Sequence, residues 1–347
     1  MFNWKCSAIL WIANPKYPKW RNPMKNSRRI TLKKIRLLSE LASLYRIISR
    51  YDPAIEIFLN VMDIAQEHDF IPEYISACGM LGWLYTSNRE LEKAIKYFNI
   101  ALDYHQKNGN ELNYGMILGN LGNTYTFMGD YEKAHNYLQE RLKISQKYDD
   151  KVGIISAYND MGILCAQKGD LETSIKFLEK GLHCLETSEI GNKRWYQNNL
   201  FSNLGNYYAN AGEFTKAIPL LLEAYKFSSE IGNLLSMMYS NNLLGICYRE
   251  LGEPELAEEH FDKALKQANT LNSPQAQLSI YQEKYILKIN GNQFHEAEMI
   301  LEDVINLAEK LQLLDLVREN AIQLYQMLYE KNPSRSLKEK IDALNAE

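Results

Sequence analysis

Three carboxamides raise the question of what this chain can do. Asn199, Asn203 and Asn206 stand at i, i+4 and i+7, a spacing that puts all three on one stripe of an α-helix. Asparagine is a mediocre helix former, roughly half a kcal/mol worse than alanine at each site. A stripe of it therefore lowers local stability. Each carboxamide offers N–H donors and an acceptor oxygen, the same two functions that a peptide main chain presents. The chemistry implied is the gripping of a backbone. A competing reading is that these amides satisfy the backbones of neighbouring elements.

Bond-making chemistry finds no foothold. His68, His105, His135, His183, His260 and His295 are scattered, with no HExxH or paired-ligand spacing. Glu258-Glu259-His260 reads as solvated helix surface. Cys6, Cys78, Cys165, Cys184 and Cys247 are odd in number and far apart, which fits a reducing compartment rather than a disulfide or metal framework. Gly119-Asn-Leu-Gly122 resembles part of a phosphate loop, but it lies inside a helical pattern with no strand before it. No Walker, kinase or nucleophile-elbow motif is present. No catalytic residue, metal or cofactor is expected.

The elements that must position the asparagines repeat. In the stretch Gly119 to Leu138, Gly122, Tyr125, Gly129, Ala134 and Leu138 sit at offsets 0, 3, 7, 12 and 16. Two packed helices account for that set. Gly122 and Ala134 let the helices approach, Tyr125 and Leu138 fill the space on either side, and Gly129-Asp130 ends one helix and starts the next. The first slot recurs as Ala42, Gly82, Gly122, Gly162, Gly205, Gly245 and Tyr285. The Ala134 slot recurs twelve residues later each time, as Ala54, Ala94, Ala134, Ser174, Ala217, Ala257 and Ala297. The period is 40 residues, with one step of 43 between Gly162 and Gly205. Recurrence at a fixed period marks a repeat architecture.

This pattern resembles the tetratricopeptide repeat (TPR) in its long-period form, the commoner period being about 34 residues. Leu-Gly-Asn repeats of spindle adaptors, kinesin light chains, Rap-type peptide-sensing regulators and bacterial signalling arrays share the longer form. Gly119-Asn-Leu-Gly-Asn-Thr-Tyr and Asn203-Leu-Gly-Asn-Tyr-Tyr bring the chain nearest to the last group, and the likeness covers about residues 35–310. It implies an all-α, right-handed superhelical solenoid of seven helix-pair repeats over 29–311. A degenerate repeat and C-terminal cap would follow over 312–347, and a basic, aromatic, Pro-containing tail would precede over 1–28.

In that family the concave groove is lined by fixed positions of each first helix. Here those positions hold Asn120, Asn123, Asn159 and Asn199, then Asn203, Asn206, Asn210 and Asn242. Trp83, Phe127 and Tyr239 would supply side-chain pockets. Arg249 also falls on a groove position, although Arg46, Arg249 and Glu250 read as solvated lone charges. The resemblance implies that a peptide segment of a protein partner is held there. Family members that capture a free C-terminal carboxylate use paired cations. Gly79, Gly119, Ser156, Asn159 and Asn199 occupy those places, so that mode is disfavoured.

Net charge is −4, unevenly spread. Residues 1–36 hold ten basic residues and no acid, which leaves 29 basic against 43 acidic residues in the rest. Trp4, Trp11, Tyr17 and Trp20 among those cations could contact an anionic membrane or nucleic acid. A solvated tail, or one lying on the acidic solenoid, is the blander reading. The apolar run Cys6–Ala13 is too short for a membrane span and makes an incomplete signal peptide, and Met24 offers an alternative start.

Local signals complete the expectation. Glu186–Arg194 contains the three extra residues. Pro219 implies a kinked or short helix. Leu313–Glu330 and Leu337–Leu344 read as a further first helix and a short final one. The function expected is a cytoplasmic, non-catalytic interaction scaffold or adaptor in bacterial signalling or complex assembly. The alternatives are a Rap-like peptide-sensing regulator, and a membrane or nucleic-acid adaptor acting through the tail. A homo-oligomer is compatible with each.

Overall fold

A computed structural model describes residues 28–310 and 314–346. The expectations for the N-terminal tail, including Trp4, Trp11, Tyr17 and Trp20, lie outside the described residues. Within them the chain forms sixteen helices and no strand. In order these are α1 (Arg28–Ile47), α2 (Tyr51–Glu67), α3 (Ile71–Ser87), α4 (Leu91–Lys107), α5 (Glu111–Met128) and α6 (Tyr131–Lys147). Then come α7 (Lys151–Gln167), α8 (Leu171–Glu186), α9 (Lys193–Asn210), α10 (Phe214–Ile231) and α11 (Leu234–Glu250). The last are α12 (Pro254–Thr270), α13 (Pro274–Asn290), α14 (Phe294–Lys310), α15 (Leu314–Lys331) and α16 (Arg335–Ala346). The chain divides after Leu200, within α9, into two compact units.

Turn chemistry sets the helix ends. Gly129 ends α5 at φ 84°, a left-handed conformation that glycine adopts without a Cβ clash. Asp130 then caps α6, its Oδ1 accepting from the Lys133 N–H at 3.2 Å. Asn110, Asp170 and Asn233 cap α5, α8 and α11 in the same way. Other turns reach the left-handed region with non-glycine residues, among them Asp69 at φ 52° and Arg89 at φ 63°.

Each pair is locked by its small slot. A Cβ added at Gly122 would stand 2.6 Å from Leu138 Cδ2 and 3.4 Å from the Ala134 carbonyl oxygen. Leu138 therefore lies directly over the glycine, not to one side of it. Gly82 meets Phe98, Gly162 meets Leu178, Gly205 meets Leu221 and Gly245 meets Phe261 in the same relation. The Tyr125 slot builds a second layer. Tyr125 stacks on Tyr137 with centroids 5.6 Å apart, and Lys133 lies 5.1 Å from the Tyr125 centroid. Tyr85, Tyr97 and Lys93 repeat the arrangement.

Tyr285 departs from the rule. It is fully buried, and its hydroxyl donates to the Leu324 carbonyl, tying α13 to α15. A tyrosine in the glycine slot leaves a cavity of about 180 Å³ lined by Leu278, Tyr281, Leu301, Val304 and Ala321. Lys288 replaces the slot tyrosine, is buried, and pairs with Glu258 at 2.8 Å and Glu296 at 2.7 Å. Forty residues on, Tyr325 and Leu337 occupy the two slots again, both buried, so α15 and α16 make an eighth pair.

Two local expectations change. Pro219 does not shorten α10, which runs 18 residues through it. The proline is exposed, so its missing N–H falls on the solvent side. The Glu258-Glu259-His260 surface is not uniformly solvated. His260 is buried, stacks on Tyr248 with centroids 5.4 Å apart, and bonds Asn241 Oδ1 through Nδ1 at 2.9 Å. Asn241 Nδ2 donates to Gln267 Oε1 at 3.1 Å, so its Oδ1 accepts and His260 Nδ1 carries the proton.

Candidate functional site

In the first unit the first helices of successive repeats touch directly, α3 on α5 and α5 on α7. Thr86 and Thr124 share a buried hydroxyl hydrogen bond of 2.8 Å between α3 and α5. Thr124 also donates to the Asn120 carbonyl at 2.8 Å. These bonds hold Asn120 and Asn123 on the face that α5 presents beside α7. Both are half-buried.

The centre of that face is a buried ion pair. Arg141 comes from α6, a second helix, and reaches over Gly119 of α5. A Cβ at Gly119 would stand 2.1 Å from Arg141 Nη1. Nη1 donates to Asp160 Oδ2 of α7 at 2.6 Å. Only 10% and 8% of the two side chains remain exposed, so water screens the pair weakly. Asn159 Nδ2 approaches Asp160 Oδ1 at 3.4 Å, and Asn123 donates to the same carboxylate. Burial dominates the Asp160 carboxyl and pushes its pKa up, while Arg141 and the two amides pull it down. With its N–H₂ turned to Asp160, Asn123 keeps a buried Oδ1 that no donor among the described residues reaches.

Gly119 is one of the places where carboxylate-capturing relatives carry a cation. The guanidinium of Arg141 fills that space from another helix, already paired with Asp160. Sequence reasoning missed it because Arg141 lies outside every repeat slot considered. The available signal was a glycine at a lining position, which makes room for a long side chain.

Two of the three aromatic positions, Trp83 and Phe127, have an arginine over the ring. The Arg46 guanidinium lies 5.1 Å from the centroid of half-buried Trp83, and Tyr51 meets Trp83 edge-on at 6.0 Å. Arg89 lies 4.2 Å from the centroid of Phe127, which stays 36% exposed. Arg46 is thus not the solvated charge that its isolation in the sequence implies.

In α9, Asn199 and Asn210 are exposed, whereas Asn203 and Asn206 are half-buried. Asn210 Nδ2 donates to Asn206 Oδ1 at 3.3 Å, and Asn203 also has a bonding partner. On α11, Tyr239 is 58% exposed and Asn242 keeps a buried Oδ1 without a protein donor. Arg249 is neither solvated nor free. Its side chain is 10% exposed and pairs with Glu250 at 2.8 Å and with Glu283. The structure thus joins Asn123 to Asn159 through Asp160 in one unit, and Asn206 to Asn210 in the other.

Among the described residues, no three His, Cys, Asp or Glu side chains are grouped to hold a metal. No described helix is long and apolar enough to cross a membrane.

Comparisons with known proteins bear on the fold. The tetratricopeptide-repeat family profile matches residues 76–147 and 196–270. A profile for anaphase-promoting complex subunit 5 matches residues 24–71. No curated protein matches the sequence. Among solved structures, a STAND signal-transduction ATPase with a tetratricopeptide-repeat sensor from Pyrococcus horikoshii is similar over 92% of this chain, at TM-score 0.70 and 19% identity. This chain spans 47% of that protein's length. A Rap protein in complex with Competence and Sporulation Factor is similar over 81% of this chain and 77% of its own, at TM-score 0.61 and 15% identity. The apo form of RapI is similar over 72% and 87%, at TM-score 0.52 and 14% identity. The stretches that the profile matches are tetratricopeptide repeats, and the described residues share the all-α fold of such repeats.

Proposed function

We propose that this tetratricopeptide-repeat chain is a non-catalytic scaffold or adaptor. It holds a peptide segment of a protein partner on the asparagine-bearing face of its first helices. The observation that carries the reading is that Asn123 in the first unit and Asn242 in the second each keep a buried amide oxygen with no donor among the described residues. A buried acceptor left unpaired costs about 1–3 kcal/mol. A main-chain N–H of a bound segment would remove that cost, and neighbouring amides would accept and donate along the same backbone. Trp83 and Phe127 would meet the side chains of a segment on the first unit, and Tyr239 those of a segment on the second. The expected setting is cytoplasmic, in bacterial signalling or complex assembly.

A peptide-sensing regulator is the second reading. The Rap protein resembling this chain was solved with Competence and Sporulation Factor bound. That reading makes a short free peptide, rather than a partner's segment, the occupant. Contact with membrane or nucleic acid through residues 1–28 rests on the sequence of the tail alone.

The test is affinity capture with the wild type and with Asn123→Ala/Asn203→Ala/Asn206→Ala, both checked by circular dichroism. Partners recovered by the wild type should be lost by the triple variant. Equal recovery by both ends the asparagine reading.

A further inference from the structure

Arg46 closes the last turn of α1. Its guanidinium rests over Trp83, which Tyr51 braces from the edge. Stacking uses the flat face of a guanidinium and leaves its N–H edge to bind a carboxylate in two-point fashion. Among the described residues no carboxylate pairs with that edge, and the buried Nε has no acceptor at all. Burial lowers the pKa of Arg46; the Tyr51 phenol opposes the effect and no carboxylate does. The residue is half-buried with its Nε buried, and a partly desolvated cation gains from a counter-charge. Along the chain, the residues around Arg46 are mostly basic. Residues 28–50 hold seven basic side chains and one acid, Glu40, and residues 1–36 contain no acid. The N-terminal segment therefore cannot provide the missing charge.

We infer that Arg46, seated on Trp83, is the subsite for an acidic side chain, Asp or Glu, of the bound partner segment. This rests on the reading that a segment lies along the first helices. The role differs from the paired-cation capture of a chain-terminal carboxylate, because here a single guanidinium stacked on an indole makes the contact. Arg141 is already paired with Asp160 and cannot serve in the same way.

The experiment pans a random peptide library against the immobilised full chain, as wild type, Arg46→Met and Arg46→Lys, each checked by circular dichroism. Wild type should select peptides sharing Asp or Glu at one fixed position. Arg46→Met should still select peptides but without that acid. The best wild-type peptide is then synthesised with its acid and with the matching amide. The amide peptide should bind the wild type about tenfold or more weakly, and Arg46→Met no more weakly than the acid peptide does. Arg46→Lys keeps the charge without the fork and should recover part of the preference. Peptides selected by the wild type without a shared acid, or an acid preference intact in Arg46→Met, overturn the subsite and leave the groove reading standing. If no peptide binds the wild type, both fall.

Discussion

Arg141 crosses Gly119 so closely that a single added methyl would stand 2.1 Å from its Nη1. The glycine is the passage through which a second-helix cation reaches Asp160 on the next repeat. Asp160 in turn fixes the amides of Asn123 and Asn159. Positioning on this face therefore begins with a side chain that is absent.

The ion pair should behave asymmetrically. Asp160→Leu leaves the Arg141 charge buried without a partner and should cost about 3–5 kcal/mol in urea unfolding. Arg141→Met/Asp160→Leu should recover most of that loss, since replacing both charges by apolar groups is often neutral. A double variant as unstable as the single one would show that the pair is not the relevant unit.

The glycine slots should resist even alanine. At Gly122 a new Cβ meets Leu138 at 2.6 Å, and overpacking of this kind costs about 1–3 kcal/mol. Combining Gly122→Ala with Leu138→Ala should cost less than the two singles added, because the collision disappears. Strict additivity in thermal unfolding would contradict direct contact.

Left-handed residues in the turns offer a gain. Asp69 is exposed at φ 52°, where a Cβ is unfavourable and glycine is not. Asp69→Gly should raise stability by about 0.5–1 kcal/mol. A loss in urea unfolding would show that the aspartate side chain makes up for its strain.

His260 should give stability a pH dependence of known sign. Burial lowers its pKa, so the folded chain binds fewer protons here than the unfolded one. The contribution is complete above the unfolded value, about 6.5, and is lost as pH falls towards the lowered folded value. Unfolding at pH 7.5 and at pH 5.5 should show the wild type weakening more than His260→Gln. Equal slopes would mean that this histidine charges freely inside the fold.

Some of this was legible and some was not. Gly122 with Ala134 and Leu138 announces two helices in contact, because close approach demands small residues at fixed spacing. Turn residues such as Gly129-Asp130 declare the helix ends for similarly local reasons. Arg141 gave no such sign, since its role depends on an empty volume above Gly119 and an acid on another repeat. Arg46 looked isolated in sequence because Trp83 lies across the boundary between two repeats. Tyr285 looked like decay of the pattern, yet it is a fully buried anchor to α15. Side chains that bridge repeats are set by three-dimensional neighbours, and a forty-residue register does not display them.

The contact between Gly122 and Leu138 is confined to one repeat, whereas Arg141 and Asp160 belong to successive ones. Copying a forty-residue module would duplicate the first kind of contact intact and orphan the second. The third and fourth modules are thus a couple, and so are the sixth and seventh, which Arg249–Glu283 and Lys288–Glu258 join. A shuffled version of this chain would keep its helices and lose the charge-matched seam between Arg141 and Asp160.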